Sequence, residues 1–221
     1  MSAPLKLAVF DCDGTLVDSQ HRIGTAMSRA FARRGHPEPD FFQVRRVVGL
    51  SVTEAVARLL PDAAPDEHVL TGELYKAAFF EMRAAGEHEE PLYPGVLEAL
   101  AEIEDMGFVL GVATGKSMRG LRAVLERHGL ENRFVTLQTA DLAPGKPHPG
   151  MLLQAMAEAG ARPEQTCMIG DTVFDIEMGC NAGVMPVGVA WGYHEPHELT
   201  GAGAVAVAQA YPDLPALLRS L

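Results

Sequence analysis

Asp11 and Asp13 stand two residues apart in Asp11-Cys12-Asp13-Gly14-Thr15-Leu16-Val17-Asp18-Ser19, directly after the short apolar run 5–10. In extended backbone, residues i and i+2 point the same way, so both carboxylates would face one crevice at the end of a buried strand. Two carboxylates that close repel unless a cation or a shared proton intervenes. Gly14 lets the chain turn sharply after them. The same spacing also suits a turn whose aspartates merely cap the next helix. Cys12 has the opposite strand parity and is assigned to the core.

A second acidic site follows another apolar run, in Met168-Ile169-Gly170-Asp171-Thr172-Val173-Phe174-Asp175. Asp171 lies just past the run, and Asp175, four residues on, shares its face of the following helix. Asp11, Asp13, Asp171 and Asp175, gathered at strand ends with almost no nearby Cys or His, would form an all-oxygen site suited to Mg²⁺. Asp175 could instead pair with an arginine or with solvent. Between the acidic sites come Thr114-Gly115-Lys116 and Gly145-Lys146-Pro147. The first is not a P-loop, because only three residues separate Gly111 from Gly115. Thr114 at a strand end, with Gly115 and the backbone N–H groups beyond it, can still hold a phosphate oxygen. The chain has only Lys6, Lys76, Lys116 and Lys146, so a reaction needing lysine must choose among four. Lys146 is either a functional loop residue or a surface lysine.

These residues need a scaffold that brings strand ends together. Apolar runs at 5–10, 108–113, 134–137, 166–169 and 186–190 read as buried parallel strands. Helical patterns at 96–106 and 120–128 each stop at a glycine. Alternation of this kind implies a doubly wound α/β sheet. From 18 to 91 helical periodicity continues without a strand. Helices are expected over 19–34, from Ser51 to before Pro61 with a capping-box Glu54, and over 66–87. The fold class is therefore α/β: a Rossmann-like doubly wound parallel sheet with an inserted all-helical cap domain. The core would take 1–17 and 92–221, and the cap 18–91, with hinges near 17–19 and 90–94.

The 221 residues carry 29 acids against 18 Lys and Arg, a net charge of −11. That field repels phosphate backbones and anionic lipid, so neither nucleic acid nor a membrane surface is expected as partner. No run approaches the roughly 20 apolar residues of a spanning helix, and no targeting segment is read. Cys12, Cys167 and Cys180 form neither a disulfide framework nor a zinc knuckle, which points to a reducing cytoplasm. The chain is expected as a monomer or homodimer.

Taken in order, Asp-x-Asp-Gly-Thr, Thr114, Lys146 and Gly-Asp-Thr-x-x-x-Asp resemble the haloacid dehalogenase superfamily of aspartyl-phosphate hydrolases over essentially the whole chain. The resemblance implies that Asp11 attacks the phosphoryl group and that Asp13 protonates the leaving oxygen, then activates water. Thr114 would hold a phosphoryl oxygen, Lys146 would neutralise nucleophile and phosphate, and Asp171 would bind Mg²⁺ with Asp11 and the Asp13 carbonyl. Phosphomonoester hydrolysis can need accelerations approaching ~10²¹, so spreading the demand over a carboxylate nucleophile, a metal and a lysine is physically reasonable.

Within that family, Asp13 argues for phosphoryl transfer, since halide displacement has no alkoxide to protonate. The mutase type carries a His where Ile23 stands, and the phosphonatase type a cap lysine near Gly49-Leu50, where there is none. A cysteine phosphatase would need Arg where Asp18 stands. What remains resembles the phosphoglycolate phosphatase branch, acting on a small phosphorylated metabolite. Arg45 and Arg46, in a stretch resembling that branch's cap loop, are the expected substrate-selecting cations. A sugar-phosphate phosphotransferase or mutase is the alternative, and a non-enzymatic phospho-aspartate signalling module a further one. Trp191-Gly192-Tyr193-His194 is read as packing, and Arg119 and Arg122 as solvent-facing.

Overall fold

Leu7, Ala8, Val9 and Phe10 are all wholly buried, as a strand covered on both faces requires. In a computed structural model of the chain that describes residues 5–87 and 89–220, this strand, β1 (Lys6–Phe10), is followed by α1 (Gln20–Arg34), α2 (Phe41–Val47), α3 (Val52–Leu59) and α4 (Pro65–Ala84). Then come α5 (Val96–Asp105), β2 (Phe108–Thr114), α6 (Met118–Arg127), β3 (Phe134–Thr139), α7 (Gly150–Ala159), β4 (Thr166–Gly170) and α8 (Val173–Ala182). The chain continues through β5 (Met185–Val189), α9 (Pro196–Ala202), β6 (Ala206–Ala208) and α10 (Asp213–Ser220).

The six strands lie in the order β3-β2-β1-β4-β5-β6, every pair parallel. Strand parity divides the core. Ala8 and Phe10, with Leu110, Val112 and Ile169, pack under Leu100, Ile103, Leu121 and Leu214. Leu7 and Val9, with Ala113 and Met168, pack under Met151, Leu152 and Met178. The order reverses at β1, which pairs with β2 on one side and β4 on the other, so the carboxyl ends of β1, β2 and β4 open onto one crevice. Phe10 stands opposite both Val112 and Ile169, which brings the residues after each strand to the same level.

The four helices α1 to α4, between β1 and β2, bury a separate apolar cluster of Ile23, Met27, Phe31, Val44 and Val56. The sequence patterns place α1 and α3 closely, but α4 ends at Ala84, short of the expected 87, and α2 is missed. Helix α2 is seven residues, about two turns, capped by Asp40, whose side chain accepts from the Gln43 N–H at 3.0 Å, and is too short to show a clear period. Ser51 caps α3 by accepting from the Glu54 N–H. The insert leans directly on the sheet end. A Cβ on Gly115 would lie 2.5 Å from the Leu50 carbonyl oxygen, so only glycine allows the backbones this close.

Candidate active site

Asp11 extends β1 by one hydrogen bond, from its N–H to the Ile169 carbonyl at 2.9 Å, and its side chain is 1% exposed. Lys146, wholly buried in the connection from β3 to α7, places Nζ 2.8 Å from Asp11 Oδ1 and 2.5 Å from Asp175 Oδ1. The Cys12 N–H also donates to Asp11 Oδ1, at 2.7 Å. Asp171 follows β4 and is held on both oxygens, by the Thr15 hydroxyl at 2.8 Å and the Tyr193 N–H at 2.9 Å. Gly14 has φ +86°, and a Cβ there would sit 2.3 Å from Asp171 Oδ2, so the turn after Asp13 can only be glycine. Trp191 Nε1 and the Tyr211 hydroxyl both donate to the Thr15 carbonyl and fix that turn from below.

Asp175 is both a helix cap and a lysine partner. Its Oδ2 accepts from the Thr172 N–H at 3.0 Å and the Thr172 hydroxyl at 2.6 Å, completing a capping box at the start of α8. That fixes Oδ1 toward Lys146. Ligand oxygens of Asp11, Asp171 and Asp175 all lie within 4.8 Å of one another. Three carboxylates with a single ammonium leave excess negative charge in a buried place. Burial, with Asp175 and Asp13 adding to it and Lys146 opposing, pushes the Asp11 carboxyl up to about 7. Burial, then Asp175 and Asp11, likewise push Asp171 well above the carboxylate range. Burial alone would lower Lys146, but Asp11 and Asp175 hold it protonated. Asp11 Oδ2 is buried without a hydrogen-bond partner. A hard divalent cation supplies what this oxygen and the charge excess lack, so the three aspartates fit a metal.

Asp13, 8% exposed, is held by groups to which the sequence reading assigns no such part. The Ser19 hydroxyl donates to its Oδ1 at 2.5 Å and lies 3.1 Å from the Tyr193 hydroxyl. Ser19 occupies the N-cap position of α1 yet makes no side-chain cap there, because its hydroxyl is diverted to Asp13. Lys116 Nζ lies 2.9 Å from the same oxygen and 3.1 Å from Glu90 Oε1. Glu90, 1% exposed, also receives Arg83 at 2.5 Å and the wholly buried Arg22. Burial alone would raise the Glu90 carboxyl, but Lys116, Arg83 and Arg22 hold it down at about 2. Thr114 is buried, and its Oγ1 accepts from the Lys116 N–H at 3.2 Å, which forms the turn through Gly115.

A cavity of about 490 Å³ reaches from Asp11, Asp13, Thr114 and Gly115 into the helical insert. The two predicted selector arginines are not in its wall. Arg46 makes a two-pronged pair with Glu198, both contacts 2.6 Å, and Arg45 donates to the Gly192 carbonyl at 3.2 Å and lies over the Tyr193 ring. Both sit in the last turn of α2, Arg45 reaching the loop after β5 and Arg46 reaching α9, so they tie the insert to the core. Arg119, expected toward solvent only, is exposed but lines the cavity and stacks 3.7 Å over Phe80. The loop 191–194 packs, as read, and also carries the Tyr193 N–H to Asp171.

Residues 8–189 match the family described as haloacid dehalogenase-like hydrolase. The chain is 34% identical to "Probable phosphatase IndB" of Dickeya dadantii (strain 3937), over 94% of this chain and 91% of that one. It is 30% identical to a phosphoglycolate phosphatase of Vibrio parahaemolyticus, over 95% and 94% of the two chains. A solved hydrolase from Pseudomonas syringae shares the fold at a TM-score of 0.86 and 23% identity, covering 98% of this chain and 99% of that one. Among the described residues, no helix is long and apolar enough to cross a membrane.

Proposed function

The chain belongs to the haloacid dehalogenase-like hydrolases and is a phosphatase of that family, and from that premise we propose that it hydrolyses small phosphate monoesters through an aspartyl-phosphate on Asp11, with Mg²⁺ as cofactor. The observation that carries this reading is Lys146 Nζ bridging Asp11 and Asp175 beside Asp171. Asp11, Asp171 and the segment at Asp13 would hold the metal, with Asp175 acting mainly through Lys146. When bound, Mg²⁺ supplies charge neutralisation for the phosphoryl oxygens.

The protein's own groups divide the work as follows. A carboxylate oxygen of Asp11 forms a bond to phosphorus as the ester oxygen departs. Asp13 gives that oxygen its proton, so the alcohol leaves neutral. In the second half Asp13 takes a proton from water, the water oxygen attacks phosphorus, and Asp11 returns to a carboxylate as phosphate is released. Thr114 and the N–H groups around Gly115 orient a phosphoryl oxygen, while Lys146 opposes its charge. Residues 18–91 serve as a specificity cap that excludes bulk water from the crevice.

Ile23, 5% exposed in the apolar wall, stands where the mutase type carries a His, which favours water over a sugar hydroxyl as the acceptor. The test is to quench a reaction with an aryl phosphate within the first turnover and examine the peptide holding Asp11 by mass spectrometry. One added phosphoryl group on Asp11, absent from Asp11→Asn, is the expected result. A phosphorylated residue elsewhere, or none with turnover intact, overturns the assignment.

A further inference from the structure

Away from the aspartates, the apolar part of the cavity wall includes Ile23, Met27, Val44, Val48, Tyr75 and Phe79, contributed by α1, α2 and α4 and by the residue after α2. A volume of about 490 Å³ is in the range that encloses a whole small-molecule ligand, roughly 300–1,000 Å³. The phosphoryl group belongs at the sheet end, between Asp11 and Gly115. The insert side of the cavity is therefore the place for the alcohol part of the ester.

The inner cations on that wall are each engaged, Arg83 and Lys116 sharing Glu90 with Arg22. Lys116 faces Asp13 and Glu90, Arg83 faces Glu90, and Lys76, nearer the surface, makes an exposed pair with Glu73 at 2.8 Å. Arg119 lies at the exposed edge, flat over Phe80. A leaving group bearing its own carboxylate would have to enter an apolar chamber whose inner cations are taken, and an ionised carboxylate left unpaired there is heavily penalised. An uncharged apolar or aromatic alcohol would instead displace water from Met27, Val44 and Phe79 at no polar cost.

We infer that this chamber receives an uncharged, largely apolar leaving group, so that the preferred substrates are monoesters of such alcohols and not short acid-bearing esters such as phosphoglycolate. The inference rests on the phosphatase reading above. The natural comparison is benzyl phosphate against phosphoglycolate, because both release a primary alcohol and neither has the activated leaving group of an aryl ester. One buried methylene in a fitted apolar pocket discriminates by ~10–200-fold, so kcat/KM for benzyl phosphate should exceed that for phosphoglycolate by at least about tenfold.

Phe79→Ala should lower that ratio about tenfold. Phe79 also lies under Arg22, Arg83 and Lys116, so Val48→Phe, which fills the chamber from another side, provides a second reading of the same ratio. A phosphoglycolate kcat/KM equal to or above that of benzyl phosphate overturns the chamber assignment and leaves the phosphatase reading standing. If no monoester is turned over, the phosphatase reading fails. Calorimetric binding of the two esters to the Mg²⁺-loaded protein then decides the chamber, tighter benzyl phosphate supporting it and equal or weaker binding overturning it.

Discussion

Lys116 Nζ stands 2.9 Å from Oδ1 of Asp13, and the Ser19 hydroxyl closes on the same oxygen from the other side. The residue proposed to move protons is thus fixed on one of its two oxygens by a core lysine and a hydroxyl at the start of the insert. Losing a geometry of this kind can cost on the order of 10²-fold in rate. Lys116→Met, which keeps the chain length and removes the charge, should lower kcat by about 10²-fold with KM little changed, and Lys116→Arg should recover part of it. Steady-state kinetics on one ester suffice; a KM effect with kcat intact would mean that Lys116 binds substrate and does not position Asp13.

Glu90 makes the linkage of insert to core sensitive to acid. Its carboxyl, 1% exposed, is held at about 2 against an ordinary 4.5. A carboxyl depressed on folding contributes stability that is present above its unfolded value and lost as pH falls through the folded one. The window is therefore pH 4.5 down to 2, and the contribution is about 3 kcal/mol at 1.36 kcal/mol per pH unit. Glu90→Gln should cost ~3–5 kcal/mol at pH 7, because Arg22 is left buried with its carboxylate gone. Urea unfolding at pH 7 and pH 3 should show a smaller acid loss in the variant than in the parent.

Most of this scaffold could be read from the sequence because buried strands and glycine-stopped helices write their periods locally. The strand ends carrying Asp11, Thr114 and Asp171 fall where the apolar runs stop. Lys146 was legible as a constrained loop lysine among only four. Glu90 and Lys116 were not, since their meaning arises from four elements converging, Arg22 on α1, Arg83 on α4, Lys116 after β2 and Glu90 before α5, over separations that no spacing rule covers. Ser19 falls at the start of an expected helix, and only the folded chain shows its hydroxyl turned toward Asp13. Short α2, which carries Arg45 and Arg46, has only about two turns, too few to write a clear period.

Removing the metal should silence the protein and also soften it. Asp11, Asp171 and Asp175 crowd one ammonium, so Mg²⁺ should stabilise the folded state as any ligand specific to it does. At about 100 times its dissociation constant this is ~2.7 kcal/mol, or roughly 5–10 °C in Tm for a chain of this size. EDTA should abolish hydrolysis and Mg²⁺ restore it, with Zn²⁺ alone failing. Asp171→Asn should lose the Mg²⁺-dependent Tm shift, as followed by circular dichroism; a variant with the full shift would remove Asp171 from the metal set.

Arg45 and Arg46 should not choose the substrate by contact. Arg46 spends both terminal nitrogens on Glu198 in a pair 48% and 24% exposed, so Arg46→Ala should cost at most ~1 kcal/mol of stability. Arg45 acts on the loop that presents the Tyr193 N–H to Asp171, through the Gly192 carbonyl and the Tyr193 ring. Loosening that loop disturbs the phosphoryl end of the crevice, which all esters share. Arg45→Ala should therefore lower kcat/KM for benzyl phosphate and phosphoglycolate by the same factor, and Arg46→Ala should leave their ratio where it was. The measurement is that ratio in parent and variants; a change of tenfold or more in either variant would return the arginines to the role of selectors and require the insert to rotate on binding so that α2 turns its last turn inward.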